Sequence, residues 1–258
     1  MPNASRTGIA SVVAVVVAME REVAPLIRSW KVRMIEHGGR RYRLFETAEA
    51  ALICGGIGAE AARRATEAII QQTQPVRVVS VGFAGALDSS LKVGDVIEPR
   101  TVVNAADGVR TEVASGEGTL VTSTTVASKE QKTSMGRAYG ASAVDMEAAA
   151  VAQGARARGV EFAALKVISD AVDFDMPAMD GFVAADGSFR TAKFAYYVAV
   201  RPWVWRTTIA LARNSSKATA ALCSALASYL NRQGRSEPFA AVHTDFAAEA
   251  HTRMQPKQ

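Results

Sequence analysis

Cysteine is scarce. The 258 residues contain 2, Cys54 and Cys223, far apart in the chain. That excludes a disulfide framework and a cysteine-built zinc site. Histidine is scarce too, with 3 residues (His37, His243, His251) and no His-Glu-x-x-His pattern. A histidine-built metal centre is therefore not expected, nor is any other cofactor. No run of ~18 uncharged apolar residues occurs, so no transmembrane helix is expected. Acid is missing from one long stretch: residues 187–236 carry eight Lys and Arg and no Asp or Glu.

What is present is ordinary for a globular chain: 49% apolar residues, 21% charged and a mean hydropathy of +0.07. At ~150 residues per domain the length allows one large domain or two small ones. No internal repeat and no linker-like break in composition appear, so the expectation is one domain over 1–258. Residues 1–9 and about 238–258 are expected to be disordered. The net charge of +5 and pI near 9.4 are milder than a dedicated nucleic-acid binder shows, so no nucleic-acid partner is expected.

Arg6 and the apolar or small residues 9–19 have the outline of a secretory signal. But residues 12–17 are strongly β-branched, and Glu20-Arg21-Glu22 follows at once. A buried first strand in a cytoplasmic protein is the better expectation.

Further along, strands are expected at 42–47, 50–54, 77–81, 119–126, 143–146 and 162–168, and residues 93–97 read as a turn entering a strand. Helices are expected at 20–30, 59–72 and 147–158, with Pro75 stopping the second. Residues 104–118 and 173–187 read as loops. A helical C-terminal third breaks near Pro202, and Ala218, Leu222, Ala225, Leu226 and Tyr229 form an apolar stripe along it. Alternating strands and helices imply an α/β layered fold with a parallel or mixed central sheet.

In such sheets ligands bind outside the carboxyl ends of the strands. Five expected strand ends carry notable residues: Met19-Glu20-Arg21-Glu22, Gly55-Gly56-Ile57-Gly58, Gly82-Phe83-Ala84-Gly85, Asp145-Met146-Glu147 and Ser169-Asp170. Singly, each has a plain alternative. The first glycine loop could be a structural turn. Glu22 could be a solvated first-turn carboxylate, Asp170 a helix cap, and Asp145 and Glu147 surface charges. Together they point to an enzyme with a carboxylate-lined pocket.

These segments resemble the purine nucleoside phosphorylase superfamily, in its methylthioadenosine/S-adenosylhomocysteine nucleosidase branch. The matching runs are Val17-Ala18-Met19-Glu20-Arg21-Glu22-Val23, Gly55 to Gly58, Gly82-Phe83-Ala84-Gly85-Ala86, Leu91-Lys92-Val93-Gly94-Asp95-Val96, Val144-Asp145-Met146-Glu147-Ala148 and Ile168-Ser169-Asp170-Ala171-Val172-Asp173. They keep the family's order across residues 12 to about 175. The 104–142 region and the C-terminal third look more like the hopanoid-associated nucleoside phosphorylases of that superfamily.

The resemblance implies a three-layer α/β/α sandwich with a mixed sheet, and cleavage of the N-glycosidic bond of a 5′-substituted adenosine. Asp170 corresponds to the general acid at purine N7, and Ser169 to the residue that orients it. Glu147 matches the carboxylate that binds ribose hydroxyls, and Met146 packs on the sugar. Glu22 matches the carboxylate that activates water, and Ile57 a contact to the 5′ substituent. Gly82 and Phe83 belong to the substrate loop, where Phe83 replaces the nucleosidases' Ser. Val126 stands for their purine-stacking Phe, and Lys166 for their Arg. Ser80 stands where the phosphorylases place an Arg for phosphate, and Glu22 would repel that dianion. Both features favour water. The alternatives are a phosphorylase, acting even on an adenosylated hopanoid, and a nucleoside-binding protein without catalysis. A homo-oligomer is implied as well.

The acid-free stretch 187–236 also holds Phe189, Phe194, Tyr196, Tyr197, Trp203, Trp205 and Tyr229. Cations with Trp and Tyr suit an interfacial helix. The plainer alternative is helices packed on the sheet with a solvated basic face. If residues 194–205 touch a membrane, they could admit a nucleoside with an apolar 5′ group.

Overall fold

The computed structural model describes residues 12–174, 180–184 and 186–235. The segments 1–9 and 238–258, expected to be disordered, lie outside the described residues.

The β-branched run forms β1 (Val13–Val17), buried along its whole length. It lies between β4 (Ala50–Cys54) and β5 (Arg77–Ala86), parallel to both. Val13, Val15 and Val17 face one core and Ala14 and Val16 the other. A strand covered on both faces has no reason to alternate apolar with polar.

Two helices, α2 (Ala59–Thr73) and α4 (Ala148–Ala157), supply one covering layer, and their alanines let them approach the sheet closely. The opposite layer is α6 (Trp205–Arg235), which buries Ala218, Leu222, Leu226 and Tyr229 against the sheet. Full burial of Leu222 and Leu226 is worth about 1.5–3 kcal/mol each. The expected stripe is thus the face that docks, and the three layers and mixed sheet match the expectation.

The sheet contains eleven strands among the described residues, most of them in the order β2-β3-β4-β1-β5-β10-β9-β7-β8. An edge hairpin joins β2 (Lys31–His37) to β3 (Arg40–Glu46) through Gly38-Gly39, both at positive φ. Beyond β5 come β10 (Ala143–Asp145), β9 (Thr119–Thr122), β7 (Thr101–Asn104) and β8 (Arg110–Glu112). The last strand, β11 (Glu161–Asp170), runs parallel to β5, and the short β6 (Val96–Ile97) pairs with it. Three short helices complete the set: α1 (Ala24–Ile27), α3 (Lys129–Tyr139) and α5 (Thr191–Ala199).

Several expectations need correction. Residues 20–30 are not one helix but a 3-10 turn, Glu20–Glu22, followed by α1, because Pro25 has no N–H with which to continue the turn and starts a new one. The 104–118 segment is not all loop, because β8 folds back on β7 as a hairpin. The strand expected to 126 stops at Thr122, where the Ser123 N–H turns to the Asp145 carbonyl at 2.8 Å.

Candidate active site

The expected strand ends do meet, with one correction: Gly82 to Gly85 does not follow a strand but lies within β5, which runs on to Ala86 and pairs with β11 as far as Gly85. A cavity of ≈ 210 Å³ is lined by nine of the residues singled out from sequence, Glu22, Ile57, Gly82, Phe83, Val126, Met146, Glu147, Ser169 and Asp170, but not by Lys166 or Ser80. Lys132, Asp145, Arg21, Phe189 and Leu211 line it as well.

Asp170 ends β11, where the pairing register with β5 slips between Ile168 and Asp170. A bulge of this kind re-aims side chains, and both Ser169 and Asp170 line the cavity. The Ser169 hydroxyl donates to Asp170 Oδ1 at 2.6 Å. The other oxygen, Oδ2, accepts from the ammonium of Lys132, which also donates to the Ala171 carbonyl at 2.9 Å. Asp170 and Lys132 are 3% and 2% exposed, so this is an ion pair withdrawn from solvent. Gly85 permits it: a Cβ there would stand 2.9 Å from Asp170 Oδ2 and 3.3 Å from Lys132 Cε.

Glu22 projects from the 3-10 turn after β1 and is buried. Its Oε2 has no hydrogen-bond partner among the described residues. Burial first, and then the Glu147 charge, push its pKa up to about 8, against the pull of Lys166 and Arg21. The solvated-carboxylate alternative therefore fails. A Cβ on Gly82 would lie 3.2 Å from Glu22 Oε2, so the glycine keeps room for that oxygen.

Glu147 precedes α4 and accepts a hydrogen bond at 2.8 Å from the N–H of Gly58, a residue at positive φ. The glycine loop therefore hands a backbone donor to a site carboxylate. Burial, then the neighbouring Asp145 charge, raise the Glu147 pKa to about 6.

Asp145 is buried, not a surface charge. It accepts from the Thr122 hydroxyl at 2.6 Å and the Ala148 N–H at 2.8 Å, and pairs with Lys166 Nζ at 2.8 Å. Asp145 thus anchors the start of α4 and compensates the Lys166 charge. Burial pulls the Lys166 pKa down, but Asp145, Glu147 and Glu22 outweigh it and raise it.

One wall is apolar. Val183 and Phe189, joined by an antiparallel bridge, line the cavity beside Leu211 of α6. The segment docks through Ile57, whose N–H donates to the Gly187 carbonyl at 2.8 Å. The Arg21 guanidinium lies 5.0 Å from the Phe189 ring centroid, and Phe189 packs edge-on to Phe194 at 5.6 Å.

Sequence reasoning missed Lys132. The Ser128-x-x-Gln131 capping box announces α3, and both of its hydrogen bonds form. But α3 is polar almost throughout, with no apolar stripe to say which face turns inward.

Residues 12–121 and 116–195 match the Phosphorylase superfamily, and the chain belongs to that family. A 5'-methylthioadenosine/S-adenosylhomocysteine nucleosidase from Marinomonas sp. is 34% identical over 98 residues. That match covers 36% of this chain and 42% of the relative, so the chain aligns with less than half of that protein's length. Among solved structures, the 5'-methylthioadenosine nucleosidase of Arabidopsis thaliana superposes with a TM-score of 0.67 at 20% identity. The superposition covers 89% of this chain and 98% of the plant chain. The Helicobacter pylori 5'-methylthioadenosine/S-adenosylhomocysteine nucleosidase gives a TM-score of 0.65 at 19% identity, over 87% and 100% of the two chains. At such identity the likeness is one of fold.

Proposed function

We propose that the protein is an adenine nucleosidase that hydrolyses the N-glycosidic bond of a 5′-substituted adenosine. The relatives' activity supports the reading, and one observation carries it: the buried Glu22 carboxyl, with an unpartnered oxygen, lines the same cavity as Asp170. Departure of a purine needs a proton at N7, and the sugar becomes cationic as the bond stretches. In this reading Asp170 delivers that proton and Ser169 orients it. Glu22 takes a proton from the attacking water. The carboxylates stabilise the developing positive charge. Glu147 binds the ribose hydroxyls and Met146 packs on the sugar. Ile57 and Phe83 meet the 5′ group, while Gly82 and Val126 shape the walls.

Water rather than phosphate is the proposed nucleophile. Holding a phosphate dianion takes free cations. Lys132 and Lys166 are already paired with Asp170 and Asp145, and Arg21, the other cation lining the cavity, lies over the Phe189 ring. Chromatography of an adenosine or methylthioadenosine digest tests the reading. Adenine should form at the same rate with and without added phosphate, and a strict need for phosphate would overturn it.

Glu147→Ala is expected to weaken ribose substrates by about 1–3 kcal/mol, since a buried donor loses its acceptor, and 2′-deoxy substrates by less. Steady-state kcat/KM on the matched pair reads the difference. Equal losses would remove Glu147 from the ribose site.

The proposed assembly is a homo-oligomer, on the family resemblance, and light scattering at micromolar concentration should give at least twice the chain mass. The proposed setting is cytoplasmic, with peripheral membrane contact through 194–205. Among the described residues no helix is long and apolar enough to cross a membrane. Yet Trp203 is 74% exposed, and Tyr196, Trp205 and Ile209 are exposed beside Lys193 and Arg206. Phe194, Val198, Trp205 and Ile209 line an apolar groove there, and Phe194 also touches the cavity-lining Phe189. Cations around exposed indoles complement an anionic bilayer. Co-sedimentation with anionic vesicles is expected, falling with salt and in Trp203→Ala/Trp205→Ala. No binding at low salt would dismiss the contact.

A further inference from the structure

The Lys132–Asp170 pair sits awkwardly with a simple acid. Both oxygens of Asp170 accept hydrogen bonds, one from Ser169 and one from a buried ammonium. Both contacts bring a hydrogen to Asp170 and neither takes one from it. Asp170 is thus placed as an acceptor between two donors, both lining the same cavity. The proton nearest to it is on Lys132, which is 2% exposed and lines the same cavity.

We propose that Lys132 is the proton reservoir for the departing base, with Asp170 as the relay. The inference rests on the nucleosidase reading above. As the glycosidic bond stretches, negative charge grows on the purine and its N7 becomes basic. An N–H bond of Lys132 breaks and an O–H bond forms at Asp170 Oδ2. The Asp170 O–H bond then breaks as an N–H bond forms at purine N7. The glycosidic electron pair leaves with the purine, which departs as the neutral base. Lys132 is left as a neutral amine beside the carboxylate. Water adds its oxygen to the sugar carbon and passes one proton to Glu22. That proton returns to Lys132 through solvent once the products leave, so charge and atoms balance over the cycle.

The arrangement that makes this feasible is local. Lys132 is held by the Ala171 carbonyl as well as by Asp170, so its ammonium stays in place when Asp170 turns to substrate. Helix α3 is fixed at its start by the Ser128–Gln131 capping box, one residue before Lys132. Gly85 leaves the space that both side chains occupy. Neither Lys166 nor Arg21 is so placed: Lys166 is paired with Asp145, and Arg21 lies over Phe189.

Lys132→Arg and Lys132→Met separate proton supply from positioning. Arginine keeps the charge and the pairing but does not give up a proton. Methionine keeps the length and removes both. The proposal expects both variants to lose at least a hundredfold in kcat on methylthioadenosine, within the range of acid catalysis, with KM changed less than threefold. Thermal melts confirm that each is folded, and Lys132→Arg covers the case in which Lys132→Met is not. A parallel assay uses 4-nitrophenyl riboside, whose leaving group departs without a proton; the arginine variant should stay within threefold of wild type. Restoration by arginine to within tenfold of wild type would make Lys132 a positioning residue and overturn the proposal, as would equal losses on both substrates. Failure of the wild type to release adenine at all would instead overturn the nucleosidase reading.

Discussion

Asp170→Asn is expected to reduce adenine release by about 10²–10⁴-fold, the usual worth of a positioned acid. Asparagine keeps the shape and can still accept from Ser169 or Lys132, but it cannot pass on a proton. The same change should also lower stability. Lys132 is 2% exposed and would lose its counter-ion, and breaking a buried pair by removing one partner costs about 3–5 kcal/mol. The melting temperature should therefore fall along with activity. Adding Lys132→Met to Asp170→Asn should recover much of the melting temperature and none of the activity. A melting temperature unchanged by Asp170→Asn would mean that the buried pair is not formed. Near wild-type turnover would remove Asp170 from the chemistry.

Glu22→Gln is the second large effect. Loss of the base should cost about 10²–10⁴-fold in kcat, and the pH profile should change shape. Glu22 is raised from 4.5 to about 8 by burial and by Glu147. A base must be ionised to act, so the wild-type kcat/KM should climb with pH through a midpoint near 8 and level off above it. The variant should lose that limb. Stability should move the other way. Between pH 4.5 and 8 the unfolded chain has released this proton and the folded chain retains it. The folded state binds more protons there, so stability falls as pH rises. Glu22→Gln removes that penalty and should raise the unfolding free energy at pH 9 more than at pH 5, by a difference on the order of a few kcal/mol, with the melting temperature following. Equal shifts at both pH values would show that Glu22 titrates normally.

Strand ends were the legible part of the site. Once β1, β4, β5 and β11 are placed parallel in one sheet, their carboxyl ends lie on one edge, and β10, antiparallel to the far end of β5, runs back toward them. That is why residues as distant as Glu22 and Asp170 could be grouped before their contacts were known. The edge hairpin was less legible. Val32 and Met34 of β2 are 49% and 59% exposed while Ile35 is buried, so its apolar residues do not alternate onto one inner face. Taken alone, Asp145 could stand as a surface charge, because nothing local reveals that Thr122 and Lys166, distant in sequence, are its partners. Lys132 was hidden by the same rule. A buried charge is recognised by its partner, and that partner lies 38 residues along the chain.

The central claim is that a carboxylate-activated water cleaves the bond between adenine and the sugar. Cleavage of methylthioadenosine in ¹⁸O-labelled water, read by mass spectrometry of the released sugar, tests it most directly. The account predicts one labelled oxygen per sugar, at the anomeric carbon, with equimolar adenine and no change when phosphate is added. A sugar 1-phosphate formed only when phosphate is present, or no adenine at all, would contradict it.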